Sequence, residues 1–400
     1  MIEPGATLST IPTPAVLMDL DILEANIARM ASLAEAAGVR LRPHTKIHEC
    51  PEIARMQIAA GACGIEVGAI ERAIGMAAAG IDDILIAHPF CGEHKLSILR
   101  RLLEKPGLKL TMMADMSEQA EAMGQTAAAV GRRLPLLLKL NTGGDRFGVP
   151  PGEPALALAR RLAVLPGVDF AGLYAHESGG QPTPESMAGI ARAAAEQTVQ
   201  TARLLIREGI PVRHVSVGAS PTLAATCELL RTGEFPEIDE IHPGHCTVGD
   251  RWHVLALANP PEACAATVLC TVISAADPRY AVIDAGYKTF GADALIKYRD
   301  LPGFFRQGKP AYGTVQGRPD LWLGKMSAET AVVLYGDPAE PPERRLRLGE
   351  RLRIVPNNAT LAISLQERLY GVRAETVERT LALAGRSACR ETSGYQRPGS

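Results

Sequence analysis

The chain has 400 residues, 46% hydrophobic and 22% charged, the composition of a soluble globular protein too long for one small core. Its 42 basic and 44 acidic side chains leave a net charge of -2, and aromatics are only 4%. That gives no electrostatic case for nucleic acid or an anionic membrane, and no base-stacking platform.

No segment offers the ~18 uninterrupted apolar residues of a membrane helix. The opening "MIEPGATLSTIPTP" lacks the basic start and apolar run of a secretory signal. The eight cysteines contain no Cys-x-x-Cys pair. They read as reduced thiols, which predicts a cytoplasmic protein.

In chain order, "PAVLMDLD" (14–21) reads as a strand and "ILEANIARMASLAEAAG" as the first helix. Eight short runs follow: 40–46, 64–69, 83–89, 110–115, 135–140, 170–176, 214–220 and 240–246. Between them lie Ala-, Leu-, Arg- and Glu-rich stretches with apolar residues at helical spacing and Gly at several ends. Eight strands alternating with helices predict an α/β (β/α)8 TIM-type barrel over 24–251. Parallel strands are buried on both faces, which explains a continuous run such as "PLLLKL". An open doubly wound sheet would want a Gly-x-Gly-x-x-Gly turn, and the chain has none.

After about residue 252 the texture changes. "CAATVLCTVISA", "RYAVIDAGYKTFG", "KMSAETAVVLYG" and "LRLGERLRIVP" read as strands joined by turns. A mostly β domain of residues 1–23 and 252–385 is expected, with 386–400 as a disordered polar tail.

Reactive groups of such barrels sit at the C-terminal ends of the strands. Those ends supply His44, Lys46 and His48, then Glu66, His88, Asn141 to Arg146, Tyr174, His176, Gly218 to Thr222, and His242 to His245. Lys46 is the centre of the set. An ammonium of pKa ~10.4, partly desolvated and beside cations, loses its proton more readily and can act as a Schiff-base nucleophile. A solvated lysine capping the first strand is the plain alternative. Gly218, Ser220 and Thr222 in "SVGASPT", with His242, Gly244 and His245 in "HPGHC", give two turns after the last two strands, where phosphate sites recur. Arg146 offers a planar fork for an anionic oxygen; a structural salt bridge is the alternative. His176 can lie against a planar cofactor or fill the core. His245 and Cys246 are further acid-base candidates, or they only shape the turn.

Together these segments resemble the fold-type III pyridoxal-phosphate enzymes of the alanine racemase superfamily, and within them the D-threonine aldolase and D-serine dehydratase group. "TPAVLMDLDILEANI", "RPHTKIHE", "TGGDRFGV", "GLYAH", "VGASPT", "HPGHCTVGD" and "VIDAGYKTFG" carry the resemblance across nearly the whole chain. It implies an alanine racemase-like fold and pyridoxal 5'-phosphate on Lys46. It implies Arg146 at the cofactor's phenolic oxygen, Tyr174 and His176 at its ring, and Gly218, Ser220, Thr222, His242, Gly244 and His245 around its phosphate. His44 and His48 are the candidate proton relays beside Lys46. A homodimer acting on a small amino acid is expected.

One departure bears on the reaction. Where these relatives have His and Cys as metal ligands after "VPN", this chain has Asn358 and Thr360, and Thr330 replaces another histidine beside Glu329. Amide and hydroxyl oxygens are poor ligands for a zinc-like ion, so no catalytic transition metal is expected. The expected activity is a lyase on a β-hydroxylated D-amino acid, working as an aldolase or dehydratase. A metal-free racemase or epimerase and a non-catalytic cofactor-binding protein are the alternatives.

Overall fold

The computed structural model describes residues 3–291, 303–306, 308–336 and 341–384. The expected tail at 386–400 lies outside the described residues. The chain divides into two compact units. One holds the residues up to Asn26 with Cys246–Leu383; the other holds Ile27–His245 with Ala384.

The chain enters through β1 (Ala15–Asp19) and α1 (Leu20–Ala36). Strands and helices then alternate: β2 (Arg40–Leu41), α2 (Pro51–Ala59), β3 (Ile65–Val67), α3 (Ile70–Ala78), β4 (Asp83–Ile86) and α4 (Glu93–Leu103). Next come β5 (Lys109–Ala114), α5 (Ser117–Ala129), β6 (Leu134–Leu140), α6 (Glu153–Leu162), β7 (Val168–His176) and α7 (Pro184–Arg207). The series ends with β8 (His214–Gly218), α8 (Leu223–Leu230) and β9 (Glu240–Ile241).

Strands β2 to β9 form one parallel sheet in the order β2-β9-β8-β7-β6-β5-β4-β3. The seam between β2 and β3 is closed just past β2, against β3 itself. His44 and Glu66 make a parallel bridge there, the Glu66 amide donates to Pro43 O at 2.9 Å, and that of Cys63 to Leu41 O at 2.9 Å. The sheet is therefore a closed eight-stranded barrel. Inside it, Leu85, Ala87, Met113, Leu137, Ala171 and Tyr174 pack as one buried layer.

The helices form for local reasons. In α7, Met187, Ala191, Ala194, Thr198, Ala202 and Leu205 recur at helical spacing and are buried. Thr183 caps its start by accepting from the Ser186 amide at 3.2 Å. Each fully buried Leu or Met side chain stabilises the packing by about 1.5–3 kcal/mol.

Two strands are shorter than the sequence pattern suggests. The run at 40–46 is strand only at Arg40–Leu41, and the run at 240–246 only at Glu240–Ile241. Each has a proline two residues beyond, Pro43 and Pro243, which has no amide to offer a ladder. Short 3-10 turns follow at Thr45–Ile47 and His245–Thr247.

The other unit begins, past β9, with α9 (Arg251–Leu255), then β10 (Ala266–Ser274), β11 (Tyr280–Ile283), α10 (Tyr287–Phe290), β12 (Phe305–Arg306) and β13 (Lys309–Pro310). It continues through β14 (Gly313–Val315), β15 (Arg318–Met326), β16 (Ala331–Tyr335), β17 (Arg351–Pro356), α11 (Ala359–Ser364), β18 (Arg368–Arg373) and β19 (Thr376–Ala382). Its main sheet runs β11-β16-β15-β14-β17-β10-β1-β18-β19, and β10 also pairs with β11. Six of its strands thus close on themselves, while β1 sits antiparallel to β10 and parallel to β18. Strand β17 shows the alternation of a one-sided sheet: Leu352 and Ile354 are buried, Arg351 and Arg353 less so. Among the described residues no helix is long and apolar enough to cross a membrane.

Strand β7 carries a register shift opposite Leu136 and Leu137. Gly172 lies there at φ +151°, and a Cβ would come 1.9 Å from His214 O. Gly172→Ala should therefore lower stability by at least about 1–3 kcal/mol, read as the shift of the urea unfolding midpoint.

Candidate active site

Pro43 ends β2 and turns the chain into the 3-10 segment that carries Lys46. His44 caps this segment: its Nδ1 accepts the Lys46 amide at 3.2 Å, which leaves the ring proton on Nε2. Thr45 Oγ1 donates to Glu66 O at 3.0 Å, tying the turn to β3. Lys46 is half-buried at the strand-end mouth. Burial lowers its ammonium pKa; the Glu66 carboxylate opposes this and the Arg146 charge adds to it.

Beneath the turn lies a buried polar network. Glu66, 0% exposed, accepts the Tyr174 hydroxyl at 3.0 Å, and His44 Nε2 stands 3.6 Å from the same Oε1. Its other oxygen, Oε2, has no partner among the described residues. Lys139 enters from β6; its Nζ donates to Ala87 O at 2.7 Å and sits 4.7 Å from the centre of the Tyr174 ring. Burial pushes the Glu66 carboxyl up and the Lys139 ammonium down, and each restrains the other through its charge. The Tyr174 ring stacks on His242 at 4.0 Å and 17°. Burial holds His44 and His242 well below the usual histidine range, and lowers His176 to about 3 and His88 to about 4. Burial thus favours the neutral form of these four imidazoles.

Three turns converge at the mouth. Ser220 Oγ accepts the amides of Gly244 at 3.0 Å and His245 at 2.8 Å, joining the turn after β8 to the turn after β9. A Cβ on Gly244 would stand 2.4 Å from His44 O, so these two turns approach as closely as glycine permits. Gly218, at φ +131°, accepts from His176 Nδ1 at 3.1 Å. Thr222 is buried, donates to Ala219 O at 3.2 Å, and precedes α8.

Arg146 comes from a loop built around Asn141, whose Oδ1 accepts the amides of Gly143, Gly144 and Asp145 at 3.1 to 3.2 Å. A cavity of about 160 Å³ lies beside Arg146, Thr142, His176 and Ser178. A second, of about 200 Å³, is lined by Lys46, Arg72 and His88.

The fold thus brings together Lys46, His44, Arg146, His176, Gly218, Ser220, Thr222, His242, Gly244 and His245. Two candidates stand differently. Tyr174 lies inside the barrel with its hydroxyl committed to Glu66. His48 is 0% exposed and lines neither cavity; its Nδ1 accepts the Cys50 amide at 3.1 Å. Sequence reasoning overlooked Lys139. The signal was there, since a lysine inside "PLLLKL" has to point into the barrel or the helix layer.

A profile of the alanine racemase N-terminal domain matches residues 18–251, and one of a serine dehydratase domain matches 265–372. The chain is 31% identical over 395 residues to D-threonine aldolase of Arthrobacter sp, covering 97% of this chain and 96% of that one. The chain belongs to the fold-type III pyridoxal-phosphate family. Among its relatives in that family is D-threo-3-hydroxyaspartate dehydratase of Delftia sp. (strain HT23), 32% identical over 372 residues, covering 88% and 92% of the two chains. The solved D-threonine aldolase from Filomicrobium marinum superposes with TM-score 0.83 at 27% identity, over 96% of this chain and 98% of that one.

Pyridoxal phosphate is the cofactor expected in this family, and the donor set fits it. Thr142 Oγ1 and Ser178 Oγ are buried beside Arg146 without a partner among the described residues. Ser220, Thr222 and the start of α8 supply hydroxyls and amides of the kind a phosphate uses. Where the resemblance implies a replaced metal ligand, Asn358 Oδ1 accepts the Leu361 amide at 3.3 Å and caps α11. Glu329 lies on the surface with Lys288 Nζ at 2.5 Å.

Burial lowers the His48 ring from 6.5 to about 4. Between those pH values the unfolded chain binds this proton and the folded chain does not. Stability therefore falls as pH drops through that window, by about 1.4 kcal/mol per pH unit for each such group. His48→Asn should flatten the pH dependence of apoprotein stability by about one proton below pH 6.5, measured by urea unfolding across the range. An unchanged slope would show that His48 is protonated in the fold.

Proposed function

We propose that this protein is a pyridoxal-phosphate lyase acting on a β-hydroxy D-amino acid, by aldol cleavage or dehydration. The near full-length similarity to D-threonine aldolase and D-threo-3-hydroxyaspartate dehydratase carries the reading. The depressed Lys46 ammonium at the barrel mouth supports it.

Lys46 would hold the cofactor through its amine. The hydroxyls of Ser220 and Thr222, with the close turns at Gly218 and Gly244, would hold the phosphate, with His242 and His245 beside them. Arg146 would bind the phenolic oxygen and His176 would serve the ring. Bound there, pyridoxal phosphate supplies an electron sink that weakens the bonds at the substrate α-carbon. This chain's groups then decide which bond breaks. The Lys46 amine would take or return a proton at the α-carbon. His88 shares its cavity as a neutral base, and His44 holds its Nε2 proton toward Glu66.

In our reading no transition metal takes part, because Asn358 is used as a helix cap and Glu329 pairs with Lys288. The same substitutions favour a second reading, racemisation or epimerisation, which needs only proton transfer at the α-carbon. The seven described cysteines are free thiols, which supports a cytoplasmic setting. A homodimer completes the proposal, and a sedimenting active monomer would contradict it.

The holoprotein should be yellow, and borohydride should fix a pyridoxyl group on the peptide that contains Lys46. Lys46→Ala should lose both colour and activity, and a label found elsewhere would refute the assignment. Activity on D-threonine or D-3-hydroxyaspartate should survive exhaustive chelation. Activity that vanishes and returns with manganese or zinc would overturn the metal-free reading. A product with an intact carbon skeleton and inverted α-carbon would establish the racemase instead.

A further inference from the structure

The barrel has a second mouth. At the strand-start end, opposite Lys46, lies a cavity of about 430 Å³, within the range that small organic ligands occupy. It is larger than either cavity beside Lys46 or Arg146. Its floor is apolar: Leu85, Leu137 and Ala171 belong to the same layer as Tyr174. Its rim is charged, and the charge is unevenly compensated.

On one side every cation has a carboxylate. Arg42 donates to Glu240 Oε2 at 3.0 Å and Asp83 Oδ1 at 2.6 Å, Arg40 to Asp239 Oδ2 at 2.6 Å, and Arg213 to Asp169 Oδ2 at 2.7 Å. On the other side, at the starts of β5 and β6, stand Lys109, Arg132 and Arg133. Among the described residues none of these three has a carboxylate partner. Arg132 reaches only the carbonyls of Leu103 and Leu108, at 2.8 and 3.2 Å, and Arg133 only that of Val168, at 2.9 Å. Each guanidinium has five N–H donors, so most are left over.

The N-terminal face of such barrels is ordinarily a stabilising face. Ion pairs serving stability alone would compensate one another all round the rim. Here two neighbouring strands, about 4.8 Å apart, bring three like charges to one cavity wall, an arrangement that suits an anion.

We propose that this mouth binds a small organic polyanion. Its phosphate or carboxylate groups lie against Lys109, Arg132 and Arg133, and its apolar body rests on the leucine floor. The inference is independent of the reaction at Lys46.

The test is calorimetric titration of the holoprotein, whose cofactor already fills the other phosphate site, with pyrophosphate, ADP and citrate at low ionic strength. One saturable site per chain is expected for at least one probe, weakened by added salt. Binding of citrate alone would identify a carboxylate ligand; pyrophosphate and ADP together would identify a phosphate one. ADP binding more tightly than pyrophosphate would show the floor in use. Lys109→Gln with Arg133→Gln should weaken binding about tenfold or more. Both side chains are exposed, so melting should be unchanged. Arg100→Gln, which removes a surface cation elsewhere, should have no effect. Absence of saturable binding by all three probes, or binding that the double variant leaves intact, would overturn the proposal.

Discussion

The barrel closes at the bridge between His44 and Glu66, and the mouth that carries Lys46 is assembled at the same two residues. Their backbones join the chain just past β2 to the middle of β3. Their side chains meet the Tyr174 hydroxyl and the field of Lys139. A carboxylate with no exposure is costly unless it is paired and hydrogen-bonded. Glu66 accepts one hydrogen bond, from Tyr174 on β7, and Lys139 on β6 acts on it through its charge without a direct ion pair. The seam therefore draws its stability from across the barrel, and the turn carrying Lys46 is held through Thr45 to the Glu66 carbonyl.

That arrangement also sets the proton inventory of the mouth. Lys46 acts on His44, His88, His176 and His242, Lys139 on the last three, and Arg146 on His88 and His176. Desolvation and these charges favour the neutral imidazoles. Glu66 opposes both effects on Lys46. A cofactor bringing a phosphate and a phenolic oxygen would add negative charge here and relieve the excess of positive charge.

Much of this was legible in the sequence. The eight barrel runs stand out because parallel strands are buried on both faces, and the glycines at 218 and 244 mark close backbone approaches. The ends of β2 and β9 were less legible, since Pro43 and Pro243 stop ladders that composition alone would extend. Depth within the barrel was not legible at all. His44 and His48 are alike in the motif, yet one faces Glu66 and the other is enclosed beneath α2. Lys139 hides in an apolar run because its partner is 73 positions away in sequence and on another strand. What a one-dimensional pattern omits is which residues face each other across the closed sheet.

Lys139 has a further bearing, on how the barrel comes to be formed. Its ammonium is tolerable in the interior because Glu66, on β3, answers it from another part of the ring. A partly assembled sheet that has packed β6 but not yet recruited β3 holds an unanswered buried charge. Such arcs are disfavoured relative both to the open chain, where water solvates the amine, and to the finished ring. The two charges thus favour the finished ring over half-built sheets, a bias that bears on the route to the fold as much as on the fold itself.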